Sequence, residues 1–397
     1  MKHGPVEMDI ASEWGYYQAS MNSFASGPES GAYIFRPEEH AQLKYIESIP
    51  SKTLIIETEL VTEVHSFYEG SWVHQIVKVY KDKAYIDVEY TVGPIPIHDG
   101  GKEVVNILKT NISNNGIFYT DSNGREFLKR ERSRRQSWDL VEFEPIAGNY
   151  YPVNAAIFIE DGSSSMAVCT DRTQGGTSLQ DGNIELMVHR RLLKDDSRGV
   201  GECLNETAEV MPYPPFGDAS RQGEGLVITG THRVLVGRNV TGARMARTEM
   251  DKMFSPPLSF VMKTANPGSV QVPLSSESLI NTLPENVQLI TLKALPSKGD
   301  GNAVILLRLG HAYGKEDCKV MGVPVELDLS TIFWKHEVMN LKEMTLTGNL
   351  EKSTWQSMKM KWDMKQNRDF NGVEAESTVI ILNPMEVRTF EVMLKPE

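Results

Sequence analysis

Runs rich in β-branched and aromatic residues, each closed by a short polar or glycine-containing turn, recur along this sequence with no long helical segments between them. Residues 53–64 (TLIIETELVTEV), 72–81 (WVHQIVKVYK) and 84–92 (AYIDVEYTV) follow one another closely, and Gly93-Pro94 ends the third. Residues of this kind fit a pleated, half-buried surface. In the third run Tyr85, Asp87 and Glu89 oppose Ile86, Val88 and Tyr90, the two faces of a strand. Further strands are expected at 104–109, 165–170, 225–236, 287–295 and 303–309. Residues 377–382 and 387–394 are expected to pair as a hairpin across Asn383-Pro384, and Gly175-Gly176 reads as a hairpin loop. Parallel strands need long crossovers, usually helical. The pattern therefore predicts a mainly β fold of antiparallel sandwiches.

One helix stands out, residues 242–254 (GARMARTEMDKMF), with Thr241 as N-cap and Pro256-Pro257 as stop. Ala243, Ala246, Met250 and Met253 share a face, which reads as core or docking surface. A boundary is expected after this helix, dividing residues 1–265 from 266–397. A chain of 397 residues suffices for two or three cores. The net charge of −12 argues against a nucleic-acid partner. The basic run at 129–135 (KRERSRR) contains Glu131, lacks aromatics and reads as a solvated loop. No apolar run is long enough for a transmembrane helix, and the first residues lack the apolar core of a signal peptide. Three cysteines give neither a disulfide framework nor CxxC spacing. Sequons stand at Asn111, Asn205 and Asn239, candidate glycosylation sites should the chain enter the secretory pathway.

The densest polar constellation is residues 181–202, DGNIELMVHRRLLKDDSRGVGE. Ile184, Leu186 and Val188 alternate with Glu185, Met187 and His189, as in a strand. Arg190, Arg191, Lys194, Asp195, Asp196 and Arg198 follow, ending in glycines. Guanidinium forks match carboxylates and also bond sugar hydroxyls. Read on spacing alone, the run is a solvated strand end with local ion pairs.

This segment closely resembles the corresponding part of the lysosomal-type α-mannosidases, glycoside hydrolase family 38. So do SGAYIFRP (30–37), IFYTDSNGREFLKR (117–130), NYYPVNAAIFIED (149–161) and GGTSL (175–179), in matching order. The resemblance implies the C-terminal half of such an enzyme. It implies a large sandwich of the galactose-mutarotase-like type followed by smaller β-sandwich elements. It further implies a retaining, zinc-dependent parent that hydrolyses terminal α-linked mannose of N-glycans, in lysosome, vacuole or outside the cell. The implied nucleophilic Asp and the two His and two Asp zinc ligands belong to the other half, so this chain alone is expected to be inactive and to need that half as partner. No stand-in is evident: Ile97-His98-Asp99 is a loop pair, and His65 and His74 could meet across a hairpin but make only two ligands. Two residues carry over as substrate contacts, Tyr33 and Arg198. Alternatively, Tyr33 packs an edge strand and Arg198 pairs with Asp195 or Asp196. At the level of the whole chain, the alternatives are a standalone carbohydrate-binding β-sandwich without catalysis and an unstable truncated product.

Overall fold

The computed structural model describes residues 8–20, 27–38, 41–46, 50, 52–68, 72–199, 201–207, 225–259, 283–296, 302–333, 336–360 and 378–395. The chain separates into two compact units, Met1–Pro256 and Pro257–Glu397. The division falls at the Pro-Pro stop of the helix; the 265/266 boundary read from sequence lies outside the described residues. No described helix is long and apolar enough to cross a membrane.

The first unit is built from a six-stranded and a nine-stranded sheet, antiparallel throughout. In the smaller sheet Lys102–Lys109 is central, flanked by Ala11–Gln18 and Asn183–Arg191. In the larger, Val73–Tyr80, Tyr85–Val92, Ile228–Arg238 and Ser164–Thr170 lie side by side. Val88, Phe118, Ile157, Val168 and Val234 of the larger sheet share one core with Leu108, Val153, Ile184 and Leu186 of the smaller. That interdigitation defines a sandwich.

Both outer faces carry cover. The helix Gly242–Phe254 forms where its cap and stop place it, with the Thr241 side chain accepting from the Arg244 backbone N–H. Ala243, Ala246 and Met250 pack on Phe158, Ala167 and Leu235, on the outer face of the nine-stranded sheet. A Cβ at Gly242 would stand 2.3 Å from the Phe158 ring, so only glycine lets the helix approach this closely. On the smaller sheet, Tyr17, Val105 and Ile107 are covered by Phe35, Leu43, Ile146 and Tyr150.

Buried polar groups join the sheets. His232 is fully enclosed, with Nδ1 3.0 Å from Asn106 Oδ1 and Nε2 2.8 Å from Gln174 Oε1. Gln174 in turn donates to the Tyr90 hydroxyl, and Asn106 to Ser12 and Glu13.

The second unit holds a four-stranded sheet, ordered Val287–Leu295, Ala303–His311, Val387–Leu394, Val338–Met344, and a two-stranded sheet of Val325–Asp328 with Val379–Leu382. Leu307, Phe390 and Val392 meet Leu327, Ile380 and Leu382 in one core, a small sandwich. Two short helices, Leu329–Ile332 and Lys352–Met358, were not evident in the sequence.

Several local expectations are corrected. The run 53–64 is two strands, Lys52–Glu57 and Val61–Phe67, because the Thr58 backbone N–H donates to the Val61 carbonyl and its hydroxyl accepts from the N–H groups of Leu60 and Val61. Val379–Leu382 and Val387–Leu394 do not pair; the turn after Asn383 carries the chain from one sheet to the other, each strand burying its own apolar residues in the shared core. Gly175 and Gly176 lie inside the strand Gln174–Thr177, where a Cβ at Gly176 would stand 2.7 Å from Val153. A bulge between Met187 and His189 breaks the alternation read through Val188. The basic run is half edge strand, Glu126–Glu131; Arg130 and Arg135 lie over the Tyr151 ring, and Arg132 bonds the carbonyls of Ser178 and Leu179.

Candidate functional site

The loop at 30–37 and the segment 195–199 meet beside one end of the smaller sheet, and Asp196 joins them. Its Oδ2 accepts the backbone N–H of Tyr33 at 2.6 Å and of Ile34 at 2.9 Å, and its Oδ1 accepts the N–H of Arg198 at 3.1 Å. The carboxylate is 1% exposed. Charge-assisted bonds to backbone N–H groups are among the stronger hydrogen bonds. The contact is close enough to require glycine at position 31, where a Cβ would lie 2.5 Å from the Asp196 nitrogen.

A second layer fixes the loop from below. Glu103, on the central strand, lies opposite Arg190 in the ladder. Arg190 donates to Glu103 Oε1 through Nε at 3.0 Å and Nη2 at 2.6 Å, and Nη2 reaches the Ile34 carbonyl at 2.6 Å. Ser30 Oγ donates to the same carboxylate oxygen at 2.7 Å and accepts from the Arg36 N–H. Burial pushes the Glu103 carboxyl above its ordinary range, against the pull of Arg190 and Ser30. Its Oε2 has no partner among the described residues. Nearby, Glu185 accepts from the hydroxyls of Tyr17 and Tyr150, and burial raises its carboxyl too.

The ends of these supports are free. Tyr33 is 62% exposed and Arg198 is exposed. A Cβ placed on Gly199 would lie 3.9 Å from the Tyr33 ring, so the phenol stands over the glycine that follows Arg198. Among the described residues, Arg198 Nη1 donates to the adjacent Ser197 carbonyl, and the guanidinium makes no ion pair with Asp195 or Asp196. A partly open cavity of about 170 Å³ adjoins the clamp, lined by Glu29, Asp195, Asp196, Ser197 and Arg198. That is smaller than the several hundred Å³ of a typical small-ligand site.

The other sequence candidates lie apart. Asp99 pairs with Lys102, and His98 is exposed beside it. His65 bonds Glu63 and stacks on Phe67, whose ring also lies beside His74. Among the described residues no group of three or more His, Cys, Asp or Glu could hold a metal ion, so they do not fit the implied zinc. Asn111 and Asn239 are exposed. Asn205 is 4% exposed, its Oδ1 accepts from Arg191 and its Nδ2, the atom a glycan would occupy, is enclosed. Sequence reading missed Glu103 and the clamp role of Asp196. A lone carboxylate inside the apolar run KEVVNILK was the available signal for Glu103.

Residues 2–198 match the model of the glycosyl hydrolases family 38 C-terminal domain, a match that spans both Tyr33 and Arg198. The chain belongs to the C-terminal part of that family. It is similar to the lysosomal alpha-mannosidase of Bos taurus, 39% identical over 94% of this chain and 36% of that protein. It is also similar to the alpha-mannosidase of Canavalia ensiformis, 36% identical over 97% of this chain and 39% of that protein. The chain thus spans somewhat over a third of the length of these relatives. The crystal structure of an alpha-mannosidase from Enterococcus faecalis V583 shares the fold, with TM-score 0.59 at 12% identity over 96% of this chain and 38% of that one.

Proposed function

We propose that this chain is the C-terminal β-rich portion of a retaining α-mannosidase that hydrolyses terminal α-linked mannose of N-glycans. In this reading it completes the substrate site from the β side and acts in an acidic compartment such as lysosome or vacuole. The observation that carries the reading is the Asp196 carboxylate, which sets Tyr33 and Arg198 side by side while leaving both side chains exposed. The phenol donates or accepts one hydrogen bond and the guanidinium donates several, a set suited to the hydroxyls of one sugar ring. Such groups orient a substrate and break no bond.

The cavity of about 170 Å³ beside the clamp is below the range of a complete small-ligand site, in keeping with a site finished by a second surface. The remaining wall, the nucleophile and the zinc ligands belong to the catalytic half of the parent enzyme. The chain by itself is expected to turn over no aryl α-mannoside. Zinc-dependent hydrolysis by the isolated chain, abolished by a point substitution within it, would contradict the proposal.

A further inference from the structure

The second unit carries a cleft of about 530 Å³ that the mannosidase reading does not use. It is lined by the end of the strand Val338–Met344, the start of Val387–Leu394, the turn at 345–350, and Lys352 and Trp355 of the helix Lys352–Met358. The volume falls in the range of small-ligand sites. Three features of its lining converge on one ligand chemistry.

The first is an aromatic wall. Trp355 lines the cleft and is 42% exposed, on a helix with no buried residue. An indole presented to solvent beside a polar groove offers a flat π-face. Lys359 Nζ lies 3.6 Å from its centroid and occupies one face of the ring; Lys359 does not line the cleft, which leaves the opposite face for a ligand.

The second is a fixed ionic floor. Glu343 receives Arg388 through Nε at 2.9 Å and Nη2 at 2.8 Å, and Lys352 Nζ at 2.6 Å. These partners hold its carboxyl below the ordinary range, against the effect of burial. Glu386 also lines the cleft. Two carboxylates and two cations, Lys352 and Arg388, leave the lining without net charge.

The third is a cluster of short polar side chains. Asn349 Oδ1 accepts from the hydroxyls of Thr345 at 2.9 Å and Thr347 at 2.6 Å. Both hydroxyl protons are committed inward, so each threonine oxygen keeps acceptor capacity. The Asn349 Nδ2 donors have no partner among the described residues.

We infer that this cleft is a non-catalytic binding site for a neutral oligosaccharide. A hexose ring presents a C–H face that stacks on an indole and a rim of hydroxyls that both donate and accept. The cleft offers an indole wall, carboxylate and hydroxyl acceptors, and guanidinium, ammonium and amide donors. An anionic ligand would find both lining cations already paired with Glu343 or balanced by Glu386. A purely apolar ligand would strand the Glu343–Arg388 pair and the Thr–Asn cluster beneath it. The site is separate in sequence and unit from Tyr33 and Arg198, and the inference stands whether or not those two contact mannose.

The test is saturation-transfer NMR and calorimetry on the purified 397-residue chain with neutral tri- and tetrasaccharides built of mannose, glucose or galactose. At least one should bind, and Trp355→Ala should weaken that binding roughly tenfold, the worth of an aromatic stacking partner. Asn349→Ala should weaken it as well. Trp355 is exposed, so Trp355→Ala should keep the parent thermal midpoint, which separates lost contact from lost fold. Absence of binding by every neutral probe, preference for sulfated over neutral probes, or binding insensitive to Trp355→Ala would each overturn the inference.

Discussion

Tyr33 and Arg198, 165 positions apart in sequence, hang from opposite oxygens of one buried carboxylate, that of Asp196. Neither side chain is spent on the arrangement. The backbone N–H groups make the bonds, so phenol and guanidinium remain available to a third party. The layer beneath, Glu103 with Arg190 and Ser30, anchors the same loop to the central strand. The clamp and its support are what a positioning site requires, since rigid placement is worth more than additional contacts.

Asp196→Ala should detach the two segments. It strands the N–H groups of Tyr33, Ile34 and Arg198, and the cost should be about 2 kcal/mol of unfolding free energy. Amide hydrogen exchange at 33, 34 and 198 should accelerate, while the helix Gly242–Phe254 stays protected. Chemical denaturation and exchange mass spectrometry check this. Unchanged protection at those three amides would remove Asp196 from the account.

The first unit should respond to pH through buried groups of opposite sense, among them Glu185 and His232. The Glu185 carboxyl is raised by burial, so the folded state binds its proton more readily than the unfolded one. Its contribution is present below the ordinary carboxylate range and is lost as pH rises through the folded value. Glu185→Gln keeps partners for Tyr17 and Tyr150, should raise the thermal midpoint at pH 7, and should do little near pH 4. His232 is lowered by burial from 6.5 to about 4, so its contribution is present above 6.5 and lost as pH falls toward 4. Over that window it should withdraw up to about 3 kcal/mol. Thermal melts of the parent, Glu185→Gln and His232→Asn chains across pH 4 to 7.5 separate the two slopes.

Glycan attachment should distinguish the three sequons. Passed through a secretory pathway, the chain should be modified at Asn111 and Asn239, which are exposed, and not at Asn205, whose Nδ2 is enclosed. Peptide mapping after glycosidase treatment in heavy-oxygen water reads each site. Full occupancy at Asn205 would mean that its bond to Arg191 does not form before modification.

What was legible in the sequence is what local chemistry decides. The helix Gly242–Phe254 begins at its Thr cap and ends before its Pro pair as read, because cap and stop act within a few residues. Val287–Leu295 and Val387–Leu394 also match their alternation limits. The errors mark places where one side chain or a distant neighbour overrides propensity. Thr58 breaks a continuous β-prone run by bonding its own backbone neighbours. Val379–Leu382 looks like half of a hairpin, yet its apolar residues are needed in the opposite layer of the sandwich. The family motifs pointed to Tyr33 and Arg198. That Asp196 links them could not be read locally, because its partner Tyr33 lies 163 residues away. Trp355 gave no signal in sequence; only the fold brings it beside Glu343 and Arg388.

The most direct test of the central claim is steady-state kinetics of a full-length α-mannosidase carrying this C-terminal portion, with Arg198→Ala and Tyr33→Phe measured beside the parent. Both residues are exposed and outside the core, so thermal midpoint and metal content should not change. If they position the sugar, kcat/KM on an α-mannoside should fall roughly ten- to hundredfold for Arg198→Ala and by a smaller factor for Tyr33→Phe. Parent-like kcat/KM in both variants would contradict the assignment of this clamp to the substrate site.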